Sequence, residues 1–268
     1  MKIIEYDDIN IWGPWIRAAM AEIVTPQFMQ ELRVAKIRHM EDARDFILSN
    51  LDRAAVTQHL TSRLAPFFVR LYHGTRLTDA ETERVRADGL KSLVLFERRP
   101  ALISVFQDHP RWTEVESSLD AIIHNLGAGD GAGKREDGCV HFCFSRAGLL
   151  TGCNHYLMYG AEVDDHVAHA LFGDASGHTF LQMHRRAKLI TFLAPFGDAA
   201  IAANPYGFPA GELPSLLGSL FGAWAYWETR PEFTIVSQRD CIAARFPGPI
   251  AAEQIERNLD IDDTELCS

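Results

Sequence analysis

Among 268 residues no stretch of eighteen or more is apolar, so no segment reads as a membrane-spanning helix. An apolar h-region after Met1 is also missing. The five cysteines, Cys139, Cys143, Cys153, Cys241 and Cys267, are an odd number without the compact spacing of a disulfide framework. Together these absences lead to the expectation of a reducing, cytoplasmic setting with no membrane partner. Positive charge is in deficit: 26 Lys and Arg stand against 36 Asp and Glu, for a formal net charge of −10. Such a balance disfavours unspecific attraction to nucleic acid but leaves room for a local basic groove. Internal repeats and low-complexity tracts are lacking. The glycine-rich run from Gly127 to Gly133 lacks the Gly-Lys-Ser/Thr ending of a phosphate-binding P-loop and reads as an acidic surface loop.

What is present suffices for a substantial core. Apolar residues make up 47% and aromatic residues 10% of the chain, enough for one large domain or two small ones. From Trp12 to about Ala65 the pattern is helical, about three helices, with Thr25-Pro26 as N-cap and first-turn proline. Strand-like segments follow at Phe67 to Tyr72, Cys139 to Phe144, Leu189 to Leu193, Phe233 to Val236 and Cys241 to Phe246. Helical segments stand between them, the clearest at Trp112 to Leu126 and Pro214 to Trp227. Asp260 to Ser268 reads as a frayed acidic tail. Basic clusters at Arg84, Arg86, Lys91, Arg98, Arg99 and at His184, Arg185, Arg186, Lys188 read as solvated faces.

The chemistry concentrates in Leu71-Tyr72-His73-Gly74-Thr75-Arg76. Val69, Leu71 and the preceding phenylalanines suit a buried strand, and His73 is expected at its exit. Gly74, without a Cβ, permits close approach of a backbone or a ligand. Thr78-Asp79-Ala80-Glu81 has capping-box spacing, so a helix is expected from about Asp79 to Ala87, stopping at Gly89. Cys139, His141 and Cys143 alternate along one strand and share a face. That leaves a zinc site open beside the alternative of small buried cysteines.

The order of strand, His-Gly-Thr, capped helix and Gly-Leu resembles the opening of the NAD-binding core of ADP-ribosyltransferases of the diphtheria-toxin and poly(ADP-ribose)-polymerase type. Further likeness lies in Gly138 to Arg146, where that family places a strand reading Gly-x-Tyr-Phe and a serine entering a helix; His141 stands where the family has tyrosine. Lys188 to Ala194 resembles the family's central strand, and Arg230 to Val236 the run that carries its catalytic glutamate. The segment around Val140 to Arg146 also bears a loose likeness to the DarT-like DNA-modifying branch. The resemblance spans residues 67 to about 246.

It implies an α/β (α+β) protein: a helical N-terminal region over residues 1–66, packed on a split mixed-sheet ADP-ribosyltransferase-like domain over 67–248, with a C-terminal extension over 249–268. NAD would be the substrate, and the acceptor a protein or nucleic acid. Such an enzyme would act in a toxin, defence or regulatory role, and the N-terminal helices would offer a place for a partner protein. The resemblance assigns His73 to a ribose hydroxyl, with Gly74 and Thr75 beside it. The Gly74 backbone and the Ser145 hydroxyl would pin the nicotinamide amide. Arg76 or Arg146 would hold the pyrophosphate. His141, or Tyr156 or Tyr159 in its place, would face the nicotinamide ring. Glu232 would stabilise the oxocarbenium-like centre, with Glu228 and Glu162 as its rivals. No metal is required. Two other readings stand beside this one: an NAD glycohydrolase or RNA 2′-phosphotransferase on a similar core, the latter leaning on Arg76, His141 and Arg146, and a degenerate nucleotide-binding module.

Overall fold

The computed structural model describes residues 1–128, 137–204, 215–238 and 242–266. It is α+β. The first elements are β1 (Ile3–Ile4), α1 (Ile9–Met20), α2 (Pro26–Val34), α3 (Met40–Leu48), α4 (Arg53–Leu64) and β2 (Phe68–Leu77). Next come α5 (Asp79–Asp88), α6 (Leu95–Phe106), α7 (Trp112–Val115), α8 (Leu119–Ala128), β3 (Cys139–Cys143), α9 (Arg146–Thr151) and α10 (His155–Tyr159). The rest are α11 (Glu162–Phe172), α12 (Asp174–His184), β4 (Arg186–Pro195), α13 (Phe196–Ala202), α14 (Ser215–Thr229), β5 (Ala243–Pro247) and β6 (Ile255–Asp260). The strands form one six-stranded sheet in the order β5-β3-β2-β4-β6, with β1 joined to β2. It is mixed, because β1 runs parallel to β2 and β6 antiparallel to β4. Among the described residues all the strands lie in this one sheet.

Two compact units divide the chain, and they interleave in sequence. The first comprises Met1–Leu71, Cys143–Gly148 and Leu193–Ala244. Four helices, rather than about three, precede β2. Thr25 caps α2 by accepting from the Phe28 amide at 3.2 Å, with Pro26 in the first turn. The apolar helix α14 sits at the centre of this unit, with Leu216, Leu217, Leu220, Phe221 and Trp224 all buried. Gly13 of α1 lets the Trp227 ring approach to 3.1 Å of where a Cβ would stand, and Arg17 lies over the same ring at 4.6 Å.

The second unit comprises Tyr72–Phe142, Leu149–Phe192 and Arg245–Ser268. One of its apolar clusters lies among α6, α8, α11 and α12, around Leu102, Phe106, Leu119, Val167 and Leu181. Another covers the sheet, where the Phe142, Phe192 and Phe246 rings of β3, β4 and β5 meet at centroid separations of 5.1–5.7 Å. The predicted capping box is present: Thr78 Oγ1 accepts from the Glu81 amide, and the Glu81 carboxylate accepts from the Thr78 amide at 2.9 Å. Helix α5 then ends at Gly89, whose φ of 83° no β-carbon residue adopts cheaply.

Several expectations need correction. Strand β2 does not end at Tyr72 but runs on through the His-Gly-Thr to Leu77, because β3 and β4 pair with it on either side. The predicted long helix from Trp112 is broken into α7, a 3-10 turn at Glu116–Ser118 and α8. Phe233 to Val236 is no strand: the chain leaves α14 in a turn and enters a 3-10 helix at Ile235–Gln238. The C-terminal segment is not a frayed tail over its described part. Strand β6 pairs with β4, and Ile261 and Leu266 are buried. The predicted loop falls outside the described residues from 129 to 133, as do Cys241 and Cys267.

Candidate functional site

Alternation along β2 decides what reaches the cavity of the second unit, since successive side chains of a strand face opposite ways. His73, Thr75 and Leu77 fall on one side, and all three line a cavity of about 630 Å³. Its other walls come from α5, the Gly89 to Val94 segment, the start of α6, strand β3 with Cys139 and His141, and Tyr156 and Glu162. Every lining residue belongs to the second unit.

His73 is half-buried, and its Nδ1 lies 2.8 Å from the His141 carbonyl oxygen. A carbonyl can only accept, so Nδ1 carries the proton and Nε2 offers a lone pair. Burial pushes the His73 imidazole below its ordinary pKa; the carbonyl bond opposes this, and the neighbouring His141 side chain adds to it. The ring is therefore a neutral acceptor at physiological pH. Its edge-on contact with Phe142, 5.8 Å between centroids, fixes its plane.

His141 is exposed at the same wall. Its Nε2 donates to Asp137 Oδ2 at 2.9 Å. Arg245 donates to that same oxygen at 3.0 Å, and the Cys139 amide to Oδ1 at 2.9 Å. Burial pushes the Asp137 carboxyl up, but the Cys139 amide, His141 and Arg245 outweigh this and hold it below the usual carboxylate range. On the same lining the Tyr156 hydroxyl donates to Glu162 Oε1 at 2.9 Å. Among the described residues no group of three His, Cys, Asp or Glu side chains is placed to hold a metal ion.

Behind the cavity wall lies a buried charge cluster that corrects the reading of Arg98 and Arg185 as parts of solvated basic faces: Arg185 is buried and Arg98 mostly so, because carboxylates pair with both. Arg98 and Arg185 both donate to Asp164 Oδ2, and Arg98 Nε donates to Oδ1 at 3.2 Å. Glu81 Oε1 meets the same two guanidiniums at 3.4 and 3.3 Å. Asp164 is completely buried, yet the two guanidiniums overcome the cost of burial and lower its pKa to about 2.

The expected site residues therefore divide. His73, Gly74, Thr75, His141 and Tyr156 come together around the cavity, with Glu162. Arg76 does not join them: it is buried with its guanidinium spent on the carbonyls of Leu157, Met158, Gln182 and Arg185 and on Asp263. Ser145, Arg146, Glu228 and Glu232 belong to the first unit. Ser145 Oγ accepts from the Gly148 amide at 2.7 Å, which caps α9, and Arg146 is exposed in its first turn. Glu228 is buried, accepting from Arg33 at 2.9 Å, Trp224 at 3.1 Å and Arg17. Glu232 is exposed in the turn after α14. Asp137 and Arg245 were missed in the sequence, although Asp137-Gly138 is a turn signal just ahead of β3. No protein-family model, curated protein or solved structure matches the chain.

Proposed function

We propose that the cavity of the second unit binds NAD and that the chain cleaves its nicotinamide–ribose bond, transferring ADP-ribose to a macromolecular acceptor. The observation that carries this reading is the fixed tautomer of His73. Nδ1 is tied to the His141 carbonyl and Nε2 is an acceptor on a wall of a nucleotide-sized cavity, the arrangement a ribose hydroxyl donor needs. Tyr156 supplies an aromatic surface for a flat ring. Glu162, on the same lining, supplies the carboxylate that an oxocarbenium-like centre calls for and takes precedence over Glu232 in this reading. The RNA 2′-phosphotransferase alternative loses support from Arg76, whose donors are all engaged within the protein.

Incubation with NAD carrying label in its adenylate half, with separate assays for free nicotinamide and for label on protein, DNA and RNA, tests the proposal. Label on a polymer, lost in Glu162→Gln and kept in Glu232→Gln, is the expected outcome and names the acceptor class. Loss in Glu232→Gln alone would return the catalytic role to Glu232. Nicotinamide release without transfer would make the protein a glycohydrolase, and NAD binding without either signal a binding module.

A further inference from the structure

His141 is more than a substitute for an aromatic ring. Its Nε2 donates to Asp137, and Asp137 is itself held by Arg245 and the Cys139 amide, so the tautomer is set: in the neutral imidazole the proton sits on Nε2 and the lone pair on Nδ1. A histidine whose far nitrogen is fixed by an ionised carboxylate is the arrangement of a general base, because the carboxylate orients the ring and stabilises the imidazolium that forms. Arg245 keeps that carboxylate charged, so the proton stays on the imidazole. A histidine serving only to pack against a flat ligand needs none of these three supports. His141 side chain is about half exposed, 55%, and lines the cavity that His73 also lines, so a proton donor can reach it.

We propose that His141 is a catalytic general base, that Asp137 and Arg245 are its positioning residues, and that the acceptor it serves is an O–H group: a hydroxyl of a macromolecule, or water in its absence. This rests on the NAD reading given above. In the step, the acceptor oxygen bonds to ribose C1′ as the C1′–N bond to nicotinamide breaks. The bonding pair leaves with nicotinamide and neutralises its ring cation, and the acceptor proton passes to His141 Nδ1. Solvent then takes that proton from the imidazolium. Atoms and charge balance without a metal or a redox partner.

The test measures nicotinamide release from NAD, with water as acceptor, in His141→Ala and Asp137→Asn, with and without added imidazole. Binding of NAD is followed separately by calorimetry. His141→Ala should lower kcat by roughly 100- to 10,000-fold, the range for a general base, with KM changed less than about threefold. Free imidazole should restore part of that loss in a saturable manner. Asp137→Asn should lower kcat by up to roughly 10,000-fold, as loss of the carboxylate that sets the tautomer of a catalytic imidazole does, and imidazole should not rescue it. A kcat close to wild type in His141→Ala, or a loss that imidazole never relieves while calorimetry shows intact NAD binding, overturns the base assignment and leaves the NAD reading standing. Absence of nicotinamide release from the wild-type protein overturns both.

Discussion

Asp164→Asn in the buried cluster should reveal itself through the pH dependence of stability. Asn keeps the shape of the side chain but leaves Arg98 and Arg185 without their shared anion. Removing one partner of a buried ion pair costs about 3–5 kcal/mol, because the remaining charge stays desolvated. The pKa sets how much of this titrates. Lowering from 3.8 to about 2, at about 1.4 kcal/mol per tenfold in binding constant, corresponds to about 2 kcal/mol. Since the folded value lies below the unfolded one, this contribution is fully present above pH 3.8 and is lost as pH falls through about 2. Urea unfolding of both proteins, followed by circular dichroism at several pH values, should show a stability gap that is constant from about pH 7 to 5. The gap should then narrow by about 2 kcal/mol on going toward pH 2. Other carboxylates titrate in both proteins and cancel in the difference. A gap that stays flat to the acid end, or one below about 1 kcal/mol at neutral pH, would refute the account of the cluster.

Arg76→Lys keeps the charge but offers three donors where the guanidinium has five; it should lower stability by about 2–4 kcal/mol, read by thermal melting. Calorimetric NAD affinity of the folded variant should stay within about twofold, whereas an affinity loss without a change in melting would restore a phosphate-binding role to Arg76. Gly89→Ala places a Cβ 2.0 Å from the Ile250 carbonyl at a φ of 83°. The strained backbone and the clash together should cost about 2–4 kcal/mol, and a melting temperature within a degree of wild type would contradict it.

How much was legible depended on whether the signal was local. The Thr25 and Thr78 caps and the Gly89 stop are set by residues within one helical turn, and each stands where its spacing indicated. The run after Arg230 was misread because its alternation is real but belongs to a turn. Phe233 is buried edge-on against Tyr226 at 4.9 Å, and its amide bonds back to the Arg230 carbonyl at 2.9 Å. Burial of alternate residues thus arises without any strand partner. The charge cluster was illegible for the opposite reason: Glu81, Arg98, Asp164 and Arg185 are scattered over three helices and a loop, and no short window contains the set. Asp137 and Arg245 were missed on the same ground, being distant in sequence but joined by the adjacency of β3 and β5.

The two-residue period of β2 carries a further lesson for its glycine. If His73, Thr75 and Leu77 face the cavity, Gly74 and Arg76 must face the other way. Arg76 does so, reaching carbonyls at the ends of α10 and α12. A Cβ on Gly74 would stand 3.1 Å from both Leu149 Cδ2 and Leu157 Cγ. The missing side chain therefore makes room for the leucines of α9 and α10 against the strand, a role distinct from the close ligand approach expected of it, although its backbone still forms part of the cavity lining. Gly74→Ala separates the two roles. A packing role predicts a loss of about 1–3 kcal/mol in unfolding free energy, since the two leucines must give by a few tenths of an ångström, with NAD affinity unchanged. A ligand-approach role predicts the reverse, a weakened affinity at unchanged stability. Melting and calorimetry on the one variant decide between them, and because α10 also carries Tyr156, a loss in both would mean that the leucine contacts hold that ring in place against the cavity.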